Sequence, residues 1–176
     1  MCCLSRVLPV WRSFETEVLF DKSLAFWVWA CYNEQETTRE SEAFFVNVLL
    51  TSCGLETPAI EKQFLSMLPK PMEAVTAMFI PTAAVDPDAI EVLPKCLNDL
   101  LMCGIQRKNI FVNDLHTPLT GEIEADVVYL CGGNTEYLLR RINEQSFRRQ
   151  LLAFINRGGV VLGVSAGSII FSASLP

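Results

Sequence analysis

The sequence predicts a doubly wound α/β fold: a mostly parallel sheet in three layers, with helices on both faces. Two observations carry this. From Val48 onward, short apolar runs alternate with helix-compatible stretches, and each run is apolar throughout, as strands buried on both faces are. The last run, Gly159 to Val164, leads through Gly163-Val164-Ser165-Ala166-Gly167 directly into a second apolar stretch, which is a strand-turn-helix unit.

The elements follow in order. Val48 to Ser52 reads as a buried strand ending at Gly54, and Thr57-Pro58 opens a helix to about Leu68, with Pro in the first turn and Pro69 and Pro71 as stops. Val75 to Pro81 is the second strand. A helix from Pro87 to Cys103 closes at Gly104, a residue suited to the left-handed C-cap. Asn109 to Asn113 is the third strand, and after the turn at Pro118 to Gly121, Asp126 to Leu130 is the fourth. Residues 1–46 differ: they hold all three tryptophans and a polar run from Asn33 to Glu42. Within them, Phe14 to Tyr32 is compatible with an amphipathic helix or an aromatic strand pair. The expected division is an N-terminal extension over 1–46 and an α/β domain over 47–176.

Composition narrows the function. About half of the 176 residues are hydrophobic (51%), enough for a real core, and the net charge of −6 with no long basic run disfavours nucleic acid and anionic membranes as partners. Arg140, Arg141, Arg148 and Arg149 form the one basic cluster, read here as a solvated helical face. The seven cysteines lack zinc or disulfide spacing, which suggests free thiols and a reducing, cytoplasmic compartment. No apolar stretch near the N-terminus approaches the ~20 residues of a membrane span.

In such sheets ligands bind beyond the carboxyl ends of the strands. Ser52, Thr82, His116, Gly132, Gly133, Asn134 and Ser165 all fall at or after predicted strand ends. Ser165 is the candidate nucleophile: the strand-to-helix reversal strains its backbone and stands its hydroxyl clear of the sheet, beside helix N-terminal amides. Cys131-Gly132-Gly133-Asn134-Thr135 offers bare backbone amides after a strand, with a helix cap at Asn134 or Thr135. The expected oxyanion and substrate-binding set is therefore Gly132, Gly133, Asn134 and the Ala166 amide. No metal and no cofactor is expected, since neither ligand clusters nor a dinucleotide or phosphate loop occurs.

Four motifs together, Val48-Leu-Leu-Thr-Ser-Cys-Gly-Leu, Phe79-Ile-Pro-Thr-Ala, Val128-Tyr-Leu-Cys-Gly-Gly-Asn-Thr and Gly159-Val-Val-Leu-Gly-Val-Ser-Ala-Gly-Ser, resemble the dipeptidase E (aspartyl dipeptidase) family of serine peptidases, related to cyanophycinase. The resemblance implies a fold similar to class I glutamine amidotransferases, of flavodoxin-like type. It also implies that Ser165 cleaves small peptides, in some members those with an N-terminal aspartate, with the Gly133 and Ala166 amides as oxyanion hole.

One departure accompanies the match. In that family the catalytic His and its acidic partner follow the nucleophile, whereas the eleven residues after Ser165 contain no His, Asp or Glu. The domain thus reads as C-terminally incomplete relative to the family, with its elbow strand left at a sheet edge open to self-association. His116, the one histidine, reads as a surface or substrate-edge residue, with a substitute base as the lesser alternative. Two functions follow: a serine peptidase that is inactive or very weak in this form, or a non-catalytic homologue that binds a partner. An amidotransferase-like glutaminase is disfavoured, because it would place Cys at the elbow.

Overall fold

The computed structural model describes residues 46–172. The expected N-terminal extension lies outside them but for its last residue. Five strands form one sheet: β1 (Val48–Thr51), β2 (Ala77–Ile80), β3 (Ile110–Val112), β4 (Val127–Leu130) and β5 (Val160–Val164). Their spatial order is β1-β5-β4-β2-β3, and every neighbouring pair is parallel. Between them run α1 (Pro58–Met67), α2 (Pro87–Met102), α3 (Thr135–Glu144) and α4 (Phe147–Asn156), and after β5 comes the short α5 (Ala166–Ile169).

The sheet is covered on both faces, as all-apolar strands require. Ala77, Phe79, Val127, Tyr129, Val160 and Leu162 pack with Phe64 of α1 and Leu100 of α2. Their neighbours in sequence, Met78, Ile80, Val128, Leu130 and Val161, point the other way onto Leu138, Ile142, Leu151 and Phe154 of α3 and α4. The doubly wound, three-layer α/β architecture is thus present. Ends are set locally: Thr57 Oγ1 accepts the Ile60 amide at the start of α1 (3.3 Å), and Gly104, at φ +91°, follows the end of α2. Helix α2 continues through Pro94, and the carbonyl of Ile90 deprived of a partner sits on its exposed side, where water can meet it.

Three expectations need correction. The elbow strand β5 is not at an edge: it lies between β1 and β4, because the N-terminal strand β1 pairs alongside it from Val48↔Val161 to Thr51↔Val164. The free edges of the described sheet are those of β1 and β3. The four arginines do not share one face either, since Ser146, in left-handed conformation (φ 56°), separates α3 from α4. Nor are all four solvated: the Arg141 side chain, 16% exposed, turns inward and donates to the Leu115 carbonyl (2.7 Å) and Glu144 (2.9 Å).

Candidate active site

Ser165 joins β5 to α5. It is exposed between buried Val164 and Ala166, with φ 50° and ψ −111°, a conformation that non-glycine residues avoid. Backbone hydrogen bonds hold it there: its amide donates to the Thr51 carbonyl (2.9 Å), and its own carbonyl accepts the amides of Ser168 (2.8 Å) and Ile169 (3.0 Å). The two motif glycines explain why the reversal can be this tight. A Cβ on Gly163 would lie 2.5 Å from the Gly167 carbonyl oxygen, and one on Gly167 would lie 2.3 Å from that of Leu130. Their absence lets α5 sit directly on β5 and β4.

Ser168, which the motif reading did not single out, completes the anchor. Its hydroxyl lies 2.7 Å from the Thr51 carbonyl and 2.6 Å from that of Gly163, and accepts the Thr51 amide at 3.1 Å. One hydroxyl thus ties the first turn of α5 to the ends of β1 and β5. The available signal was position: a serine three residues past the nucleophile faces back toward the strand ends.

The turn after β4 is brought against Ser165. A side chain on Gly132 would begin 3.0 Å from Ser165 Cβ and 3.5 Å from its Oγ, so the Gly132 backbone forms the wall beside the hydroxyl. No backbone hydrogen bond occupies the Gly132, Gly133 or Ala166 amides among the described residues, and the first amides of a helix have no acceptor within it. Gly133 has φ +135°, and a Cβ there would lie 2.1 Å from the Ala83 carbonyl oxygen, so the turn is pressed onto the loop after β2. Asn134 differs from its neighbours. Its amide donates to the Ala83 carbonyl (2.7 Å) and its Oδ1 accepts the Tyr137 amide (2.8 Å), so it caps α3 and fixes the turn, and its amide is not free for an oxyanion.

The other strand-end residues lie along the same sheet edge. Thr82 is buried, and its hydroxyl has no hydrogen-bond partner among the described residues. Ser52 follows β1 and is exposed. His116 is exposed in the β3–β4 loop, with Nε2 3.4 Å from the hydroxyl of Tyr137 on α3. No hydrogen bond reaches Ser165 Oγ from His116 or from any other described residue. Among the described residues, no group of three or more His, Cys, Asp or Glu could hold a metal ion.

Ser165 is thus held in strained backbone at a strand-to-helix elbow, walled by a glycine turn with open amides, on a parallel α/β sheet. The comparisons with known proteins give the family. A model of peptidase family S51 matches residues 48–176, and the chain belongs to that family. It is 29% identical over 137 residues to "Uncharacterized peptidase Lmo0363" of Listeria monocytogenes serovar 1/2a, covering 73% of this chain and 62% of that protein. The fold also matches the 1.5 Å crystal structure of a "Putative Peptidase E Protein" from Listeria monocytogenes EGD-e. That match has a TM-score of 0.53 and 20% identity, and covers 68% of this chain and 59% of that one. The aligned region therefore spans about three fifths of each relative. None of the described helices is long and apolar enough to cross a membrane.

Proposed function

We propose that the chain carries the nucleophile half of a serine-type peptidase for small peptides, including those with an N-terminal aspartate. The observation that carries this is Ser165: exposed, strained and set against the Gly132 turn. In this reading Ser165 Oγ attacks the scissile carbonyl, and the oxyanion that forms accepts hydrogen bonds from the Gly133 and Ala166 amides. Gly132 leaves room for the substrate, and Asn134 holds the turn in place.

The same reading assigns this polypeptide, acting alone, a very low rate. A serine hydroxyl needs a general base to be a competent nucleophile near neutral pH, and no described residue is hydrogen-bonded to Ser165 Oγ. What remains is binding and oxyanion stabilisation, which accounts for only part of a full triad's acceleration. A reducing, cytoplasmic setting fits the unpaired Cys53, Cys96, Cys103 and Cys131, and self-association, where it occurs, is assigned to the free edges of β1 or β3. Hydrolysis of a dipeptide panel by the full chain and by Ser165→Ala tests the proposal. Weak turnover lost in Ser165→Ala supports it; hydrolysis unchanged by that substitution places the chemistry elsewhere. Rapid turnover that disappears in His116→Ala contradicts the assignment of a low rate and identifies a substitute base.

A second reading rests on the Ser165 hydroxyl having no hydrogen-bonded base among the described residues: a homologue that holds peptides beyond the strand ends without cleaving them. Saturable peptide binding with no product formed at high protein concentration distinguishes it.

A further inference from the structure

Helix α5 is four residues long, too short for its own hydrogen bonds to sustain it. It nevertheless carries the Ala166 amide and follows directly on Ser165. One half-buried side chain, that of Ser168, ties it to the sheet. A serine within a helix ordinarily returns its hydroxyl to a carbonyl of its own helix. Ser168 Oγ instead lies 2.6 Å from the Gly163 carbonyl of β5 and 2.7 Å from the Thr51 carbonyl of β1, and it accepts the Thr51 amide at 3.1 Å. It therefore joins a donor on one strand to an acceptor on the other, where the paired strands β1 and β5 end.

Thr51 is the meeting point. Its carbonyl takes both the Ser168 hydroxyl and the Ser165 amide (2.9 Å), and its Oγ1 accepts the Gly54 amide (3.1 Å). The strained serine, the end of β1 and the loop after it are thus parts of one hydrogen-bonded frame, which Ser168 closes from the helix side.

We propose that Ser168 is the positioning residue of the nucleophile: its hydroxyl clamps α5 to the ends of β1 and β5, and so holds Ser165 Oγ and the Ala166 amide in fixed relation to the Gly132 turn. The inference deepens the reading of Ser165 as a nucleophile and rests on it for its kinetic consequence, whereas the clamp itself rests on the hydrogen bonds alone. Removing the hydroxyl deprives the Thr51 amide and the Gly163 carbonyl of that partner, and the two must close on each other or admit water. Either change shifts the first turn of α5. The Ser165 backbone then has a route to relax, because its carbonyl is bonded into that turn through the Ser168 and Ile169 amides. Attack geometry is sensitive to displacements of about 1 Å, so reactivity falls well before the fold does.

The test uses the full chain, unsubstituted and as Ser168→Ala, Ser168→Thr and Ser168→Val. Thr and Val share a shape, so those two variants differ by the hydroxyl. Two quantities are measured: the rate of fluorophosphonate labelling at Ser165, and amide hydrogen exchange over residues 160–172, mapped by mass. In Ser168→Ala labelling is expected to slow about tenfold or more. Exchange over 165–169 is expected to quicken about tenfold in that variant, while the amides of β2 and β4 keep their protection. Ser168→Thr should label within a few fold of the unsubstituted chain, and Ser168→Val as slowly as Ser168→Ala. Asp126→Asn, at the opposite end of the sheet, controls for stability: it should lower the unfolding midpoint and leave the labelling rate unchanged. An unchanged rate in Ser168→Ala overturns the proposal, as do equal rates in the Thr and Val variants or exchange that quickens equally over the whole sheet. Should Ser165 take no label even in the unsubstituted chain, the nucleophile reading fails and exchange alone decides the clamp. Quickening confined to 165–169 in Ser168→Ala and Ser168→Val, but not in Ser168→Thr, then upholds it, and unchanged exchange overturns it.

Discussion

Ser165 holds a backbone conformation that costs of order 1–3 kcal/mol for a residue with a Cβ, and the surrounding hydrogen bonds to Thr51, Ser168 and Ile169 oppose its relaxation. A glycine would adopt φ 50° and ψ −111° freely, while gaining about 0.5–1 kcal/mol of unfolded-state entropy. Ser165→Gly is therefore expected to stabilise the fold by about 1 kcal/mol, and Ser165→Ala, which keeps the Cβ, is not. Denaturant unfolding checks this; equal midpoints for the two variants would remove strain from the account. At this scale the sequence was informative wherever chemistry is local. The motif spacing put Ser165 at a strand-to-helix turn, and the residue type at Asn134 pointed to a helix cap. What stayed hidden depends on partners distant in sequence. The commitment of the Asn134 amide to Ala83 arises from β2 lying beside β4, and the meeting of His116 with Tyr137 brings together residues 21 apart. Ser168 was missed because a helical serine looks ordinary until the strand ends beneath it are known.

The element that shapes the site most directly is the Cys131–Asn134 turn between β4 and α3. Gly133→Ala would force a side chain to adopt φ +135° with its Cβ 2.1 Å from a backbone oxygen, and a loss of about 2–4 kcal/mol is expected. A thermal shift within error of the unsubstituted chain would mean that the turn and the Ala83 loop separate easily. At the other end of β4, Asp126 accepts the Thr76 amide and hydroxyl (2.7 Å each) and pairs with Lys70 (2.9 Å). Burial acts to raise its carboxyl, but the Lys70 and Thr76 bonds prevail and hold it below the ordinary range. A carboxyl lowered by folding stabilises above its unfolded value of about 3.9 and loses that contribution as pH falls toward the folded value. Asp126→Asn should accordingly cost about 1–2 kcal/mol at neutral pH, with the gap narrowing below about pH 4. A gap independent of pH would contradict the ionic origin. Strand and helix positions were legible from apolar runs, Thr57-Pro58 and Gly104. The break between α3 and α4 was not, because the left-handed residue there is Ser146, with no Gly or Pro to mark it.

Over the whole molecule, alternate residues of five parallel strands feed two cores, and one edge of the sheet collects Ser52, Thr82, the Gly132 turn and Ser165. The fold class was readable because strands such as Met78 to Ile80 and Val127 to Leu130 are apolar on both faces. The strand order was not, because equally apolar runs carry no label for their neighbours. Both edge strands, β1 and β3, are less buried than β2, β4 and β5. β5 lies inside the sheet, paired with β1 on one side and β4 on the other up to the elbow. The central claim is that Ser165 is an exposed nucleophile supported by an oxyanion site. It is tested most directly by incubating the full chain with a fluorophosphonate probe, mapping the adduct by mass and repeating with Ser165→Ala. Slow, single-site labelling at Ser165 that is absent in Ser165→Ala is the expected result. No adduct on Ser165 in a folded sample after prolonged exposure, or labelling that persists in Ser165→Ala, would contradict the account.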